Sequence, residues 1–95
     1  MIKGITENGF EYVIDDGVKD DWEIIETLSE LEGIDINTNP IDSFRLTIQL
    51  AVLVLGKEQY EKLKTFLKNK YGRINISVMN DEILNIFKNI NELKN

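Results

Sequence analysis

Pro40-Ile41-Asp42-Ser43-Phe44-Arg45-Leu46-Thr47-Ile48-Gln49-Leu50-Ala51-Val52-Leu53-Val54-Leu55 is the stretch on which the fold turns. Its last four residues, Val52 to Leu55, would suit a buried strand, since they are apolar and partly β-branched. Their continuity with Ile41 and Phe44 at helical spacing decides for a helix. Pro40 fits the first helical position after an Asn39 cap, because a proline lacks only an N–H that would have no partner there. From Leu46 onward the helix is apolar almost all round, which marks it as the central and most buried one.

Downstream, Gly56 separates this helix from another over about Lys57 to Lys70. In that second helix Tyr60, Leu63, Leu67 and Tyr71 form an apolar stripe, and Glu58 and Lys62 face each other across one turn. Gly72 is its stop signal. A last helix begins near Asn75, with Ile74 and Met79 at the spacing of a hydrophobic staple. Ile76, Met79, Ile83, Ile86, Phe87, Ile90 and Leu93 make its long apolar face, and its Lys/Asn-rich end is expected to fray.

Upstream, a helix starts at Asp20, whose carboxylate is expected to cap it while Glu23 reaches back. Trp22, Ile25 and Leu28 join Ile24 and Leu31 in a stripe read as core-facing, and Gly33 ends the helix. The loop Ile34 to Asn39 follows. Met1 to Asp15 reads as a β-hairpin turning at Asn8-Gly9, with Phe10, Tyr12 and Ile14 alternating with Glu11 and Val13. An isolated hairpin is marginal in water, so one of its faces must lie on the helices. The expected fold is α+β, mainly α: one domain over residues 1–95, with a hairpin over 1–15 and about four helices packed as a small bundle over 20–93.

Composition narrows the chemistry. Cysteine and histidine are both absent from the 95 residues, which removes disulfides, thiolate or imidazole zinc sites and Cys–His or Ser–His nucleophile pairs. The glycines each stand alone, so there is no glycine-rich phosphate loop. The net charge of −6 is unevenly placed: residues 1–45 hold twelve acidic and three basic side chains, residues 46–95 five acidic and eight basic. The acidic half argues against nucleic acid as a partner, and the asymmetry would orient a protein partner or a second copy of the chain. The opening residues lead into no apolar signal segment, and the run Leu46 to Leu55 is about half the length that spans a bilayer. The expectation is a soluble cytoplasmic chain with no membrane partner.

Three clusters invite a functional reading and fall short of one. Asp35-x-Asn37-x-Asn39 starts like a calcium loop, but its sixth position is Pro40 instead of Gly and its twelfth is Leu46 instead of Glu. Asp15, Asp16, Asp20 and Asp21 suit a hard cation on paper, and helix capping with a solvated hairpin end accounts for all four. Lys57, Lys62, Lys64, Lys68, Lys70 and Arg73 are interleaved with Tyr60, Phe66 and Tyr71. The tyrosines fall on the apolar stripe, so a solvated helix face explains this set better than a nucleic-acid surface. The strip around Lys64 and Lys68 would equally meet an acidic protein surface. No catalytic constellation, metal or cofactor is expected, and the chain reads as a non-enzymatic binder.

Three blocks in order carry a family resemblance: Asp20-Asp21-Trp22-Glu23-Ile24-Ile25-Glu26, then Leu55-Gly56-Lys57-Glu58-Gln59-Tyr60-Glu61-Lys62-Leu63-Lys64, then Tyr71-Gly72-Arg73-Ile74 ahead of the last helix. Together they resemble the small tail assembly chaperones of long-tailed bacteriophages and prophages of Gram-positive bacteria, over roughly Phe10 to Phe87. The resemblance implies a protein made late in infection in the host cytoplasm. Such a protein keeps the tape measure protein soluble, brings the major tail protein to it, and is absent from the finished virion. It also implies that a ribosomal frameshift can yield a longer form. A holdase needs apolar surface for its client and charge for solubility. Trp22, Ile34, Ile36 and Phe44 are the candidate contacts, although the ordinary fate of an aromatic at helical spacing, Trp22 included, is the core. The alternative is another small phage or bacterial adaptor, either a head–tail completion protein or an acidic inhibitor that mimics nucleic acid.

Overall fold

The computed structural model describes the backbone of residues 1–94 and the side chains of residues 1–90. Strands β1 (Ile2–Ile5) and β2 (Glu11–Ile14) form a hairpin, followed by a 3-10 turn (Asp16–Asp20) and four helices: α1 (Trp22–Glu32), α2 (Pro40–Leu55), α3 (Lys57–Tyr71) and α4 (Ile76–Lys94). This is the mainly helical α+β architecture expected from the sequence.

The hairpin is antiparallel, with Ile2 opposite Ile14 and Gly4 opposite Tyr12. Strand periodicity puts Ile2, Tyr12 and Ile14 on the face covered by helices, and all three are buried. Gly4 is required by this packing, because a Cβ there would lie 2.5 Å from Cζ of the Tyr12 ring. The Tyr12 hydroxyl accepts a hydrogen bond from Asn89 Nδ2 at 2.7 Å, tying β2 to α4. The connection is the three-residue loop Glu7-Asn8-Gly9: Gly9 N donates to Thr6 O, and Thr6 N donates to Phe10 O. Gly9 takes φ +98°, the left-handed residue that such a loop needs.

The two sheet edges are treated differently. Gln59 on α3 accepts from Val13 N at 2.7 Å and donates to Val13 O at 2.8 Å. A side-chain amide thus satisfies the outward backbone groups of Val13 in the middle of β2 as a neighbouring strand would. Lys3 and Ile5 of β1 have no such partner among the described residues.

Helix α2 is central, as its apolar run requires, and packs against α1, α3 and β2. It buries Leu46, Leu50, Ala51, Val54 and Leu55, although Ile48 and Gln49 face solvent. Leu63 and Leu67 of α3 and Ile83, Ile86 and Ile90 of α4 complete the core beneath the hairpin. Glycines at positive φ make both corners of α3: Gly56 at +82° and Gly72 at +78°. The exposed Glu58–Lys62 pair forms at 3.6 Å. At its N-terminus α4 is capped by Asn75, whose Oδ1 accepts from Ser77 N at 2.8 Å, and both staple residues, Ile74 and Met79, pack on the core.

Several local expectations are corrected. The α1 cap is Asp21, whose Oδ1 accepts from Ile24 N, because the 3-10 turn extends the chain by one residue and leaves Asp20 exposed. Asn39 makes no side-chain cap; its carbonyl accepts from Ser43 N. Helix α1 does not bury its whole apolar stripe. It packs through Ile24, Thr27 and Leu31, and the Thr27 hydroxyl escapes a desolvation cost by donating to Glu23 O. Tyr71 and Ile76, expected on buried stripes, are exposed because each lies at a helix end beyond the cover of its neighbours. Leu93, expected on the α4 face, lies outside the residues whose side chains are described.

Candidate protein-binding surface

Trp22 is the first residue of α1 and is 74% exposed. The core reading of this side chain is therefore wrong. The physical reason is angular: at about 100° per residue Trp22 lies nearly opposite the Ile24–Thr27–Leu31 strip, and Ile25 and Leu28, each three residues further on, step back toward it. Ile25 and Leu28 remain 50% and 39% exposed. They form one wall of an open apolar groove of about 300 Å³, whose lining also includes Val18, Leu50, Val54, Phe87 and Ile90.

A second groove, of about 210 Å³, lies between α2, α3 and the start of α4. Phe44, Ile48 and Ile76 line it with Tyr60, Met79 and Lys64. Lys64 donates to Glu61 at 2.7 Å and lies 5.2 Å from the centre of the Tyr60 ring. The hydrogen bond to Glu61 raises the Lys64 ammonium above the ordinary lysine value.

The candidate contacts are thus not gathered in one place. Trp22 lies outside the lining of the first groove, one turn before Ile25, and Phe44 and Lys64 lie in the second. Ile34 is half-buried and Ile36 exposed in the loop before α2, while Lys68 is exposed on α3. Sequence reasoning missed Ile25, Leu28, Ile48 and Ile76 as surface residues, since a helical stripe alone does not tell which half of a wide apolar face finds a partner.

The acidic set does structural work. Asp15 Oδ1 accepts from Gly17 N, and Asp21 caps α1. Asp16 pairs with the amino group of Met1, which holds its carboxyl below the usual value, with a smaller contribution from Lys19. Asp35 folds its own loop, accepting from Asn37 N at 2.9 Å. Among the described residues no group of three or more His, Cys, Asp and Glu side chains is placed to hold a metal ion.

One ionisable group is misplaced by ordinary rules. Glu82 on α4 is only 2% exposed. Its Oε1 accepts from Asn8 Nδ2 at 2.7 Å, and its Oε2 has no hydrogen-bond partner among the described residues. Asn8 also accepts from the Tyr71 hydroxyl at 2.6 Å, and its carbonyl accepts from Lys70 Nζ at 2.8 Å. Glu7 N adds a bond to Asn85 Oδ1. The hairpin loop is therefore clamped to α3 and α4 chiefly through Asn8, with Glu7 N adding a second hold on α4. The spacing Met79–Glu82–Ile86 puts Glu82 on the apolar face of α4, and that was the available signal for its burial.

Comparison with known proteins gives no relative. No family model, no curated protein and no solved structure matches the chain. Nor is any helix among the described residues long and apolar enough to cross a membrane.

Proposed function

We propose that this chain is a non-enzymatic tail assembly chaperone of a long-tailed phage or prophage. In this reading it binds the tape measure protein and the major tail protein in the host cytoplasm and is left out of the finished virion. The observation that carries the reading is exposed apolar surface at helix faces. Trp22 is exposed one turn before Ile25 and Leu28, which border one groove, and Phe44, Ile48 and Ile76 border another. A small domain that leaves such strips uncovered has surface suited to another polypeptide. Its carboxylate-rich first half supplies charge to keep a complex dissolved. The ordered sequence blocks around Trp22, Tyr60 and Gly72 give the reading its phage context.

The test is co-expression with the tape measure protein of the same locus. Its soluble yield rises severalfold and the two proteins co-purify; an unchanged yield without co-purification refutes the reading. The exposed carboxylates of α1, which take part in no ion pair among the described residues, favour a second reading, an acidic mimic that occupies a basic nucleic-acid-binding protein. Such a mimic competes with DNA, and its binding collapses with added salt. A head–tail completion protein, by contrast, is recovered in purified virions.

A further inference from the structure

The hairpin loop holds the dipeptide of this chain most open to spontaneous chemical change. Asn8 is the one asparagine followed by glycine, and Gly9 has no side chain to hinder its backbone nitrogen. In an open chain such a pair deamidates without an enzyme. The Gly9 nitrogen attacks Cγ of Asn8, a C–N bond forms, the Cγ–Nδ2 bond breaks, and ammonia leaves with the proton that Gly9 gives up. Water then opens the cyclic imide at either carbonyl and leaves aspartate or isoaspartate at position 8. The only co-reactant is water.

The folded loop opposes the first step at both reacting groups. Gly9 N donates to Thr6 O at 2.9 Å, so the nucleophile keeps its proton and is directed at Thr6. On the electrophile, Nδ2 donates to Glu82 Oε1 at 2.7 Å and Oδ1 accepts from the Tyr71 hydroxyl at 2.6 Å. Ring closure needs the two groups to turn toward each other, and these contacts have to break first. The loop must open before it reacts.

The product does not fit the place it came from. An oxygen in the position of Nδ2 faces Glu82 Oε1 at hydrogen-bond distance, and two carboxylates have no proton to share. Glu82 is 2% exposed and its Oε2 has no partner among the described residues, so neither water nor another donor relieves the repulsion. Lys70 Nζ, 3.5 Å from Asn8 Oδ1, and the Tyr71 hydroxyl would welcome a new negative charge. Those contacts are exposed and water screens them, whereas the contact with Glu82 is partly buried, so the repulsion wins. Isoaspartate adds a further fault, since its longer backbone displaces Gly9 from the φ of +98° that closes the loop.

We propose that Asn8-Gly9 is a self-modification site guarded by the fold: it deamidates only when the hairpin loop opens, and the carboxylate formed is repelled by Glu82, so a loop that has reacted no longer docks. The site is a one-way record of loop opening, and it stands apart from whatever the apolar grooves bind.

The test ages the full chain in mildly alkaline buffer, folded and in guanidinium chloride, and follows Asn8 by peptide mapping with mass spectrometry. Loss of Asn8 is expected to be at least about tenfold slower in the folded chain. Glu82→Leu removes the acceptor for Nδ2 and is expected to speed the reaction severalfold in the folded chain, with no change in guanidinium chloride. Asn8→Asp reproduces one product and is expected to lower the urea midpoint. Adding Glu82→Gln, whose amide can donate to the new carboxylate, restores most of that loss. Four results each overturn the proposal: equal rates in folded and unfolded chains, an unchanged folded-state rate in Glu82→Leu, a parent-like midpoint for Asn8→Asp, or a double variant no more stable than Asn8→Asp. Should Asn8→Asp not fold, a folded double variant supports the proposal and an unfolded one overturns it.

Discussion

Replacing Asn8 by Ala tests whether one side chain holds the hairpin on the helices. The substitution removes the Nδ2 donor that serves Glu82 Oε1 at 2.7 Å and the Oδ1 acceptor used by the Tyr71 hydroxyl at 2.6 Å. It leaves the Lys70 contact to the Asn8 carbonyl in place. The two losses are unequal. The Tyr71 bond is exposed and contributes roughly 0.5 kcal/mol, whereas the Glu82 bond is charge-assisted and partly buried, worth about 1.5–3 kcal/mol. Glu82 Oε2 is already without a partner, so losing the other bond leaves a buried carboxylate with none. The expected cost is therefore about 2–4 kcal/mol, of which most belongs to the stranded charge. In urea denaturation followed by circular dichroism this moves the midpoint down by roughly 1–2 M, with an unchanged slope. Tyr71→Phe separates the terms and costs less than about 1 kcal/mol. The double variant Asn8→Ala/Glu82→Leu removes both partners and is expected to be more stable than Asn8→Ala alone. An Asn8→Ala protein within about 0.5 kcal/mol of the parent refutes the reasoning, as does a double variant whose losses simply add.

Three further outcomes follow from the geometry. Gly4→Ala forces a Cβ onto the Tyr12 ring and disturbs its bond to Asn89, so it lowers stability by roughly 1–3 kcal/mol in thermal unfolding; no change would mean that the ring has room to move. Asp21→Ala costs about 1 kcal/mol through loss of the α1 cap, whereas Asp20→Ala stays within about 0.5 kcal/mol, and equal effects in urea titrations would show that the cap is misassigned. Gln59→Ala uncovers Val13 N and O, costs about 1 kcal/mol and introduces concentration-dependent association in sedimentation velocity; a strictly monomeric variant would show that the amide does not guard the edge.

Much of the architecture was legible because it is local. Asn8-Gly9, Pro40, Gly56 and Gly72 punctuate the chain by backbone conformation, and the long apolar run ending at Leu55 leaves no doubt about which helix is central. What was not legible depends on distant partners. Trp22 and Ile24 look alike in a helical stripe, and only the position of α2 and α4 decides that Ile24 is covered and Trp22 is not. The shift of the α1 cap from the expected Asp20 to Asp21 follows from a 3-10 turn that no pattern announced. Glu82 was hidden for the opposite reason: a charged residue on an apolar face is discounted unless a partner is known, and its partner Asn8 is 74 residues away. The candidate surface suffered most, since exposure is a property of the assembled chain.

The Gln59 amide also sets a rule for how these molecules can join through their strands. With the outward groups of Val13 taken by a side chain and those of Lys3 and Ile5 without such a partner among the described residues, β1 is the edge of each copy better suited to backbone pairing. Pairing of that kind ends at two copies, because the completed four-stranded ribbon has a glutamine at either side. A chain with partly exposed apolar surface can therefore form a pair by strand addition, while growth of the same kind from β2 meets the Gln59 amide at Val13.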